Sequence, residues 1–142
     1  MGNDCTKHLS ESKHQLKTGG LKITRARLSL LDVFKHAKKP LSAKQLAHSL
    51  PADVDQVTLY RNLESLKKLQ LIKQIRLAGP EAYYELNGDH HHHIVCERCG
   101  KVRDVKNCSV SLPANSLKAA GFANVTKHSL EFFGLCRACA KK

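Results

Sequence analysis

Four cysteines arranged as two C-x-x-C pairs constrain this chain more than any other feature. They are Cys96-Glu97-Arg98-Cys99 and Cys136-Arg137-Ala138-Cys139. Two residues between thiolates let a tight turn aim both sulfurs at one metal, and two such pairs supply the ligand set of a tetrahedral structural zinc site. Thirty-six residues separate Cys99 from Cys136, more than a compact zinc ribbon needs and enough for strands and a helix between the two knuckles. Two disulfides or four free thiols are the alternatives. No secretory signal accompanies the cysteines, and disulfides are rare in reducing compartments.

The first knuckle is entered through four consecutive histidines, His90 to His93. The run is internal and leads into Ile94-Val95, so it reads as the start of a strand. Side chains alternate faces in extended chain, so His91 and His93 are expected on one side and His90 and His92 on the other. One short strand can then feed two metal sites. Candidate partners are Glu85 on the incoming strand, Asp104 beyond the first knuckle and His128 ahead of the second, each of a residue type that ligates divalent ions.

A small core fits a metal staple. The 142 residues are 42% hydrophobic with only 5% aromatic and no Trp, and domains of such size bury little surface. No apolar run reaches membrane-spanning length, so no membrane association is expected and a cytoplasmic location is. Lys plus Arg number 24 against 12 Asp plus Glu, a formal net charge of +12. The excess is spread along the chain: 15 basic against 8 acidic residues over 1–86, and 9 against 4 over 87–142. A field of this sign attracts polyanions, nucleic acid first among them.

Residues 1–20 are polar, end in Gly19-Gly20, and read as a flexible tail or a short, poorly anchored helix. A helix is expected from Thr24 as N-cap, with Ala26, Leu30, Val33, Phe34 and Ala37 at helical spacing. Ser42 and Gln45 form a capping box for a second helix, with Leu41 and Leu46 at the staple positions. A third helix is expected from Asp53 or Asp55 to about Leu69, its core face Leu59, Leu63 and Leu66. Its opposite face carries Val57, Arg61, Glu64, Ser65 and Lys68, flanked by Thr58 and Tyr60. Lys73–Leu77 and Ala82–Leu86 read as two strands of a hairpin. Three short helices and a hairpin make a winged helix-turn-helix over 21–87, in which the last helix enters the major groove. Composition changes after Asn87-Gly88. Over 88–142 strands are expected at Ile94–Val95, Val102–Val105 and Val125–Leu135, with a short helix at Leu117–Gly121. The fold class is α+β, a winged helix followed by a small α/β domain with a four-cysteine zinc site.

The ordered set of motifs resembles the ferric uptake regulator family of metal-dependent repressors, from about residue 20 to the end. The matching pieces are Gly20-Leu21-Lys22-Ile23-Thr24-Arg25-Ala26-Arg27, Thr58-Leu59-Tyr60-Arg61, His91-x-His93-x-x-Cys96-x-x-Cys99-Gly100-Lys101 and His128-Ser129-Leu130-Glu131-Phe132-Phe133-Gly134-Leu135-Cys136-x-x-Cys139. The resemblance implies a structural zinc on Cys96, Cys99, Cys136 and Cys139. It implies an inter-domain sensing site of Glu85, His91, His93 and Asp104, and an additional site on His90, His92 and His128. It implies DNA contacts from Lys22, Arg27, Thr58, Tyr60 and Arg61, a homodimer, and a palindromic duplex operator. Two departures stand out. Pro40 occupies the position where many members place a sensing-site His, and Val110 and Ser111 stand near the position of the acid that completes the additional site. Zinc-sensing members often carry the unbroken histidine run, whereas iron-sensing members often have Asp where His92 stands. Zinc is therefore the favoured regulatory metal, with ferrous iron or manganese, or peroxide sensing through iron, as the alternatives.

Two other classes are weighed. A zinc deaminase needs H-x-E and P-C-x-x-C; neither occurs in the chain, and four thiolates leave no open position for water. A zinc-buffering protein has no use for a helix face carrying Tyr60 and Arg61.

Overall fold

The computed structural model describes residues 3–77, 79–88, 90–126 and 128–141, with side chains from residue 7 onward. Ala78 of the expected hairpin loop and Lys127 of the expected last strand lie outside the described residues. The chain forms two compact units, Met1–Gly88 and Asp89–Lys142.

The first unit runs α1 (Asn3–Thr18), α2 (Arg25–His36), β1 (Leu41–Ser42), α3 (Ala43–Ser49), α4 (Gln56–Lys68), β2 (Ile72–Arg76) and β3 (Ala82–Leu86). Each of the three helices after α1 starts where a short polar side chain satisfies an orphan backbone N–H. The Thr24 hydroxyl accepts from the Arg27 N–H at 3.3 Å. Ser42 accepts from the Gln45 N–H at 3.3 Å while the Gln45 side chain accepts from the Ser42 N–H at 2.9 Å. The Asp55 carboxylate accepts from the Thr58 N–H at 2.6 Å. Leu30, Leu31 and Phe34 of α2, Leu46 of α3, Leu59, Leu63 and Leu66 of α4, Ile72 of β2 and Tyr84 of β3 close one apolar core. The strands β2 and β3 pair antiparallel from Ile72↔Leu86 to Arg76↔Ala82. The two-residue strand β1, which periodicity gives no hint of, pairs with β3 at Leu41↔Tyr84 and makes the sheet order β1-β3-β2.

Of the two readings of residues 1–20, the described part takes the helical one, and the helix is well anchored rather than poorly so. Residues 3–18 are helical, and Leu16 is fully buried in the core of the unit. The helix is pinned at both levels. Lys35 of α2 donates to the His8 carbonyl and to the Glu11 carboxylate, both at 3.0 Å. Its end is closed by the Leu21 N–H to the Leu16 carbonyl at 2.9 Å and the Gly20 N–H to the Lys17 carbonyl at 3.0 Å. That pair of bonds is a Schellman motif, with Gly20 at φ +71° in the left-handed position.

The second unit runs β4 (His92–Cys96), β5 (Val102–Val105), α5 (Ala114–Ala119), β6 (Glu131–Gly134) and α6 (Arg137–Ala140). β4 is central, antiparallel to β5 and parallel to β6, with Cys96 opposite Gly134. A parallel pair needs a long crossover, and α5 lies within it. The strand expected over 125–135 is shorter in the structure, Glu131–Gly134. Its paired partner on β4 spans only His93–Cys96, so the ladder ends there.

Candidate metal centres and nucleic-acid face

The parallel pairing of β4 with β6 brings the two cysteine knuckles together. Cys96, Cys99, Cys136 and Cys139 place their sulfurs within 4.8 Å of one another, and Cys99 and Cys136 are 3.8 Å apart. A tetrahedral zinc with Zn–S bonds of roughly 2.3 Å has S···S edges of about 3.8 Å. The knuckles are built for this. Gly100 takes φ +70°, and the Cys96 carbonyl accepts from its N–H at 2.8 Å. Arg98 ties one knuckle to the other by donating to the Cys139 carbonyl at 2.7 Å. The Cys136 N–H points at the Cys96 sulfur at 3.3 Å. That donor and the N–H of Cys99 pull the Cys96 thiol down to about 6, whereas Cys139, donating to its neighbours' sulfurs, is pushed up to about 12. The donor set and its backbone N–H groups fit zinc, which would hold all four as thiolates and contribute folding free energy directly.

The histidines separate onto two faces as alternate positions on extended chain do. His91 and His93 lie edge to face with ring centroids 4.9 Å apart, and His93 Nε2 stands 3.6 Å from Asp104 Oδ1 on β5. His93 is buried. Glu85 lies on β3 of the first unit, opposite Lys73, whose ammonium is 3.0 Å away.

On the other face, His128 Nε2 stands 3.1 Å from His90 Nε2 and 3.2 Å from His92 Nε2. Burial, with the His90 and His128 rings beside it, holds the His92 imidazole below its ordinary range. Cys108, which the sequence reading leaves without a role, places its sulfur 3.3 Å from the same His128 nitrogen. The four ligand atoms lie within 4.8 Å of one another. Neither spacing nor periodicity ties Cys108 to the histidines. Asn107, at φ 63°, stands immediately before it.

In the first unit, α4 buries Leu59, Leu63 and Leu66 and leaves Val57 and Tyr60 exposed at 58% and 44%. Arg61 is exposed beside them, and Thr58 is half-buried with its N–H held by Asp55. Lys22 is exposed on the segment leading to α2, while the Arg27 guanidinium turns back to donate to the Lys22 carbonyl at 2.7 Å. Arg27 thus braces the backbone that presents Lys22. No helix among the described residues is long and apolar enough to cross a membrane.

A winged helix with an exposed, basic face on α4, joined to a domain assembled on a four-cysteine cluster, defines a metal-dependent DNA-binding regulator. The model of the ferric uptake regulator family matches residues 18–133, and the chain belongs to that family. It is 34% identical over 133 residues to the ferric uptake regulation protein of Neisseria gonorrhoeae, covering 90% of this chain and 92% of the relative. It is 26% identical over 137 residues to the peroxide-responsive repressor PerR of Staphylococcus aureus, covering 94% of this chain and 93% of the relative. Among solved structures, the ferric uptake regulator of Vibrio cholerae superposes with a TM-score of 0.71 at 28% identity, over 87% of this chain and 98% of that one.

Proposed function

We propose that this protein is a cytoplasmic homodimeric repressor of metal-uptake genes that binds a palindromic operator when a regulatory metal is loaded, and that the metal sensed is zinc. The observation that carries the reading is the second set of ligands beside the four cysteines: His91, His93 and Asp104 gathered at the start of β4 and on β5. Joined by Glu85, they would make two imidazoles and two carboxylates, a neutral set with a divalent ion and one that suits four-coordinate zinc. Iron and manganese more often take five or six ligands, and Pro40 removes the fifth that a His there would offer. Glu85 belongs to the winged-helix unit and the other three to the metal unit, so a metal taking all four would bias the orientation of one unit against the other. It would favour DNA binding only through its differential affinity for that orientation. Tyr60 offers ring contact to thymine methyls and Arg61 offers charge to phosphate or guanine, with Thr58 and Lys22 positioned for the backbone. Leu112, Phe122, Phe133 and Leu135 are exposed on the second unit, and a second copy of the chain would shield them from water.

Zinc uptake is tested by stripping the regulatory metal, leaving the four-cysteine zinc in place, and following operator retardation against buffered zinc, ferrous iron and manganese. Zinc is expected to act at the lowest fraction of its cellular level. His91→Ala with His93→Ala should abolish metal dependence while the structural zinc stays. A variant that still responds moves the switch to another site. Iron is the second reading, favoured by the Neisseria relative being an iron-uptake regulator, and response to ferrous iron ahead of zinc establishes it.

A further inference from the structure

We propose that Cys108 joins His90, His92 and His128 in a closed site of three imidazoles and one thiolate, built for a zinc-class cation rather than for iron or manganese. The inference takes only its biological setting from the regulator reading, and its test involves no DNA. A tetrahedral ion with M–N bonds of about 2.0 Å and an M–S bond of about 2.3 Å has N···N edges of roughly 3.3 Å and N···S edges of roughly 3.5 Å. The contacts of His128 Nε2 are 3.1 Å to His90, 3.2 Å to His92 and 3.3 Å to Cys108. An imidazole nitrogen has one in-plane direction, which holds either one hydrogen or one lone pair. His128 Nε2 has three close polar neighbours, which hydrogen bonding alone does not satisfy. A cation among the four atoms satisfies all of them.

One support behind the ligands fits the same reading. The Val110 N–H points at the Cys108 sulfur at 3.4 Å, the placement that stabilises a thiolate. This also answers the missing acid near Val110 and Ser111: the fourth donor comes from Cys108, and it is sulfur. Thiolate suits zinc and similar metals, whereas manganese suits carboxylate, carbonyl and water ligands.

The test uses the full chain with zinc retained at the four-cysteine site and cobalt(II) added as the probe. The wild type should gain intense visible bands of tetrahedral cobalt together with one near-ultraviolet sulfur-to-cobalt charge-transfer band. Cys108→Ser should lose that band, and Cys108→Asp should bind cobalt with the weak absorption of higher coordination. A second measurement needs no variant: zinc should protect Cys108 from iodoacetamide, read by peptide mass, while manganese should not. A charge-transfer band unchanged in Cys108→Ser, or Cys108 alkylated at the same rate with and without excess zinc, overturns the assignment. Equal protection by manganese overturns the metal class.

Discussion

Two residues hold left-handed backbone at the ends of helices in the first unit, and they behave differently on substitution. Gly20, at φ +71°, closes α1, and Gln70, at φ 56°, closes α4 through the Leu71 N–H to the Leu66 carbonyl at 3.0 Å. An L side chain in this region costs roughly 1–2 kcal/mol. Gly20→Ala is therefore expected to lower the stability of the first unit by about that amount, and Gln70→Gly to raise it by up to about 1 kcal/mol, both read from urea midpoints. Gly19-Gly20 also shows how a correct signal can be misread. A glycine pair after a polar segment suggests flexibility, yet glycine at C′ is equally a helix stop. The deciding fact, Leu16 packing into a core made elsewhere in sequence, is not local. Asp55 carries a pH dependence of definite sign. The Thr58 N–H holds its carboxyl below the ordinary 3.8. The cap's contribution is then fully present above that value and lost as pH falls through the depressed one. Asp55→Asn, which can still cap, should lose less stability over the same acid range in thermal melts.

At the scale of elements, α4 and the knuckles were the most legible parts. Periodicity separated the buried Leu59, Leu63 and Leu66 from the exposed Val57, Tyr60 and Arg61, and the N-caps Thr24 and Ser42 were readable because each is a single side chain answering a single N–H, whereas that of α4 was narrowed only to Asp53 or Asp55. The short strand β1 was not legible, since two residues carry no period; it exists because Tyr84 and Tyr83 on β3 present an open ladder to it. Cys108 was missed for a related reason, being a lone cysteine whose partners come from β4 and from the segment before β6. The face of α4 divides its labour by chemistry. Tyr60→Ala should lower the ratio of specific to nonspecific duplex affinity. Lys22→Ala should weaken binding to all sequences alike and reduce the slope of log affinity against log salt by about 1. Fluorescence anisotropy over a salt series separates the two, and a Tyr60→Ala protein with an unchanged ratio would remove α4 from base readout.

For the whole molecule, the excess of basic charge in both units supplies long-range attraction to a polyanion, while the specific work is confined to few side chains. The parallel pairing of β4 with β6 has a consequence for how the molecule comes apart. Among the described residues β6 has a neighbour on one side only, and the knuckle carrying Cys136 and Cys139 follows it directly. The zinc clasp is thus a latch on the last strand, holding by chemistry what a four-residue ladder holds weakly. Removing the metal with a chelator should let Glu131–Ala140 peel away as one piece. In hydrogen–deuterium exchange the amides of β6 and α6 should lose protection first and together, with the β4–β5 hairpin following more slowly. The amides of α2 and α4, whose core has no metal in it, should keep theirs throughout. Uniform loss across both units would show that the latch secures far more of the chain than its own strand.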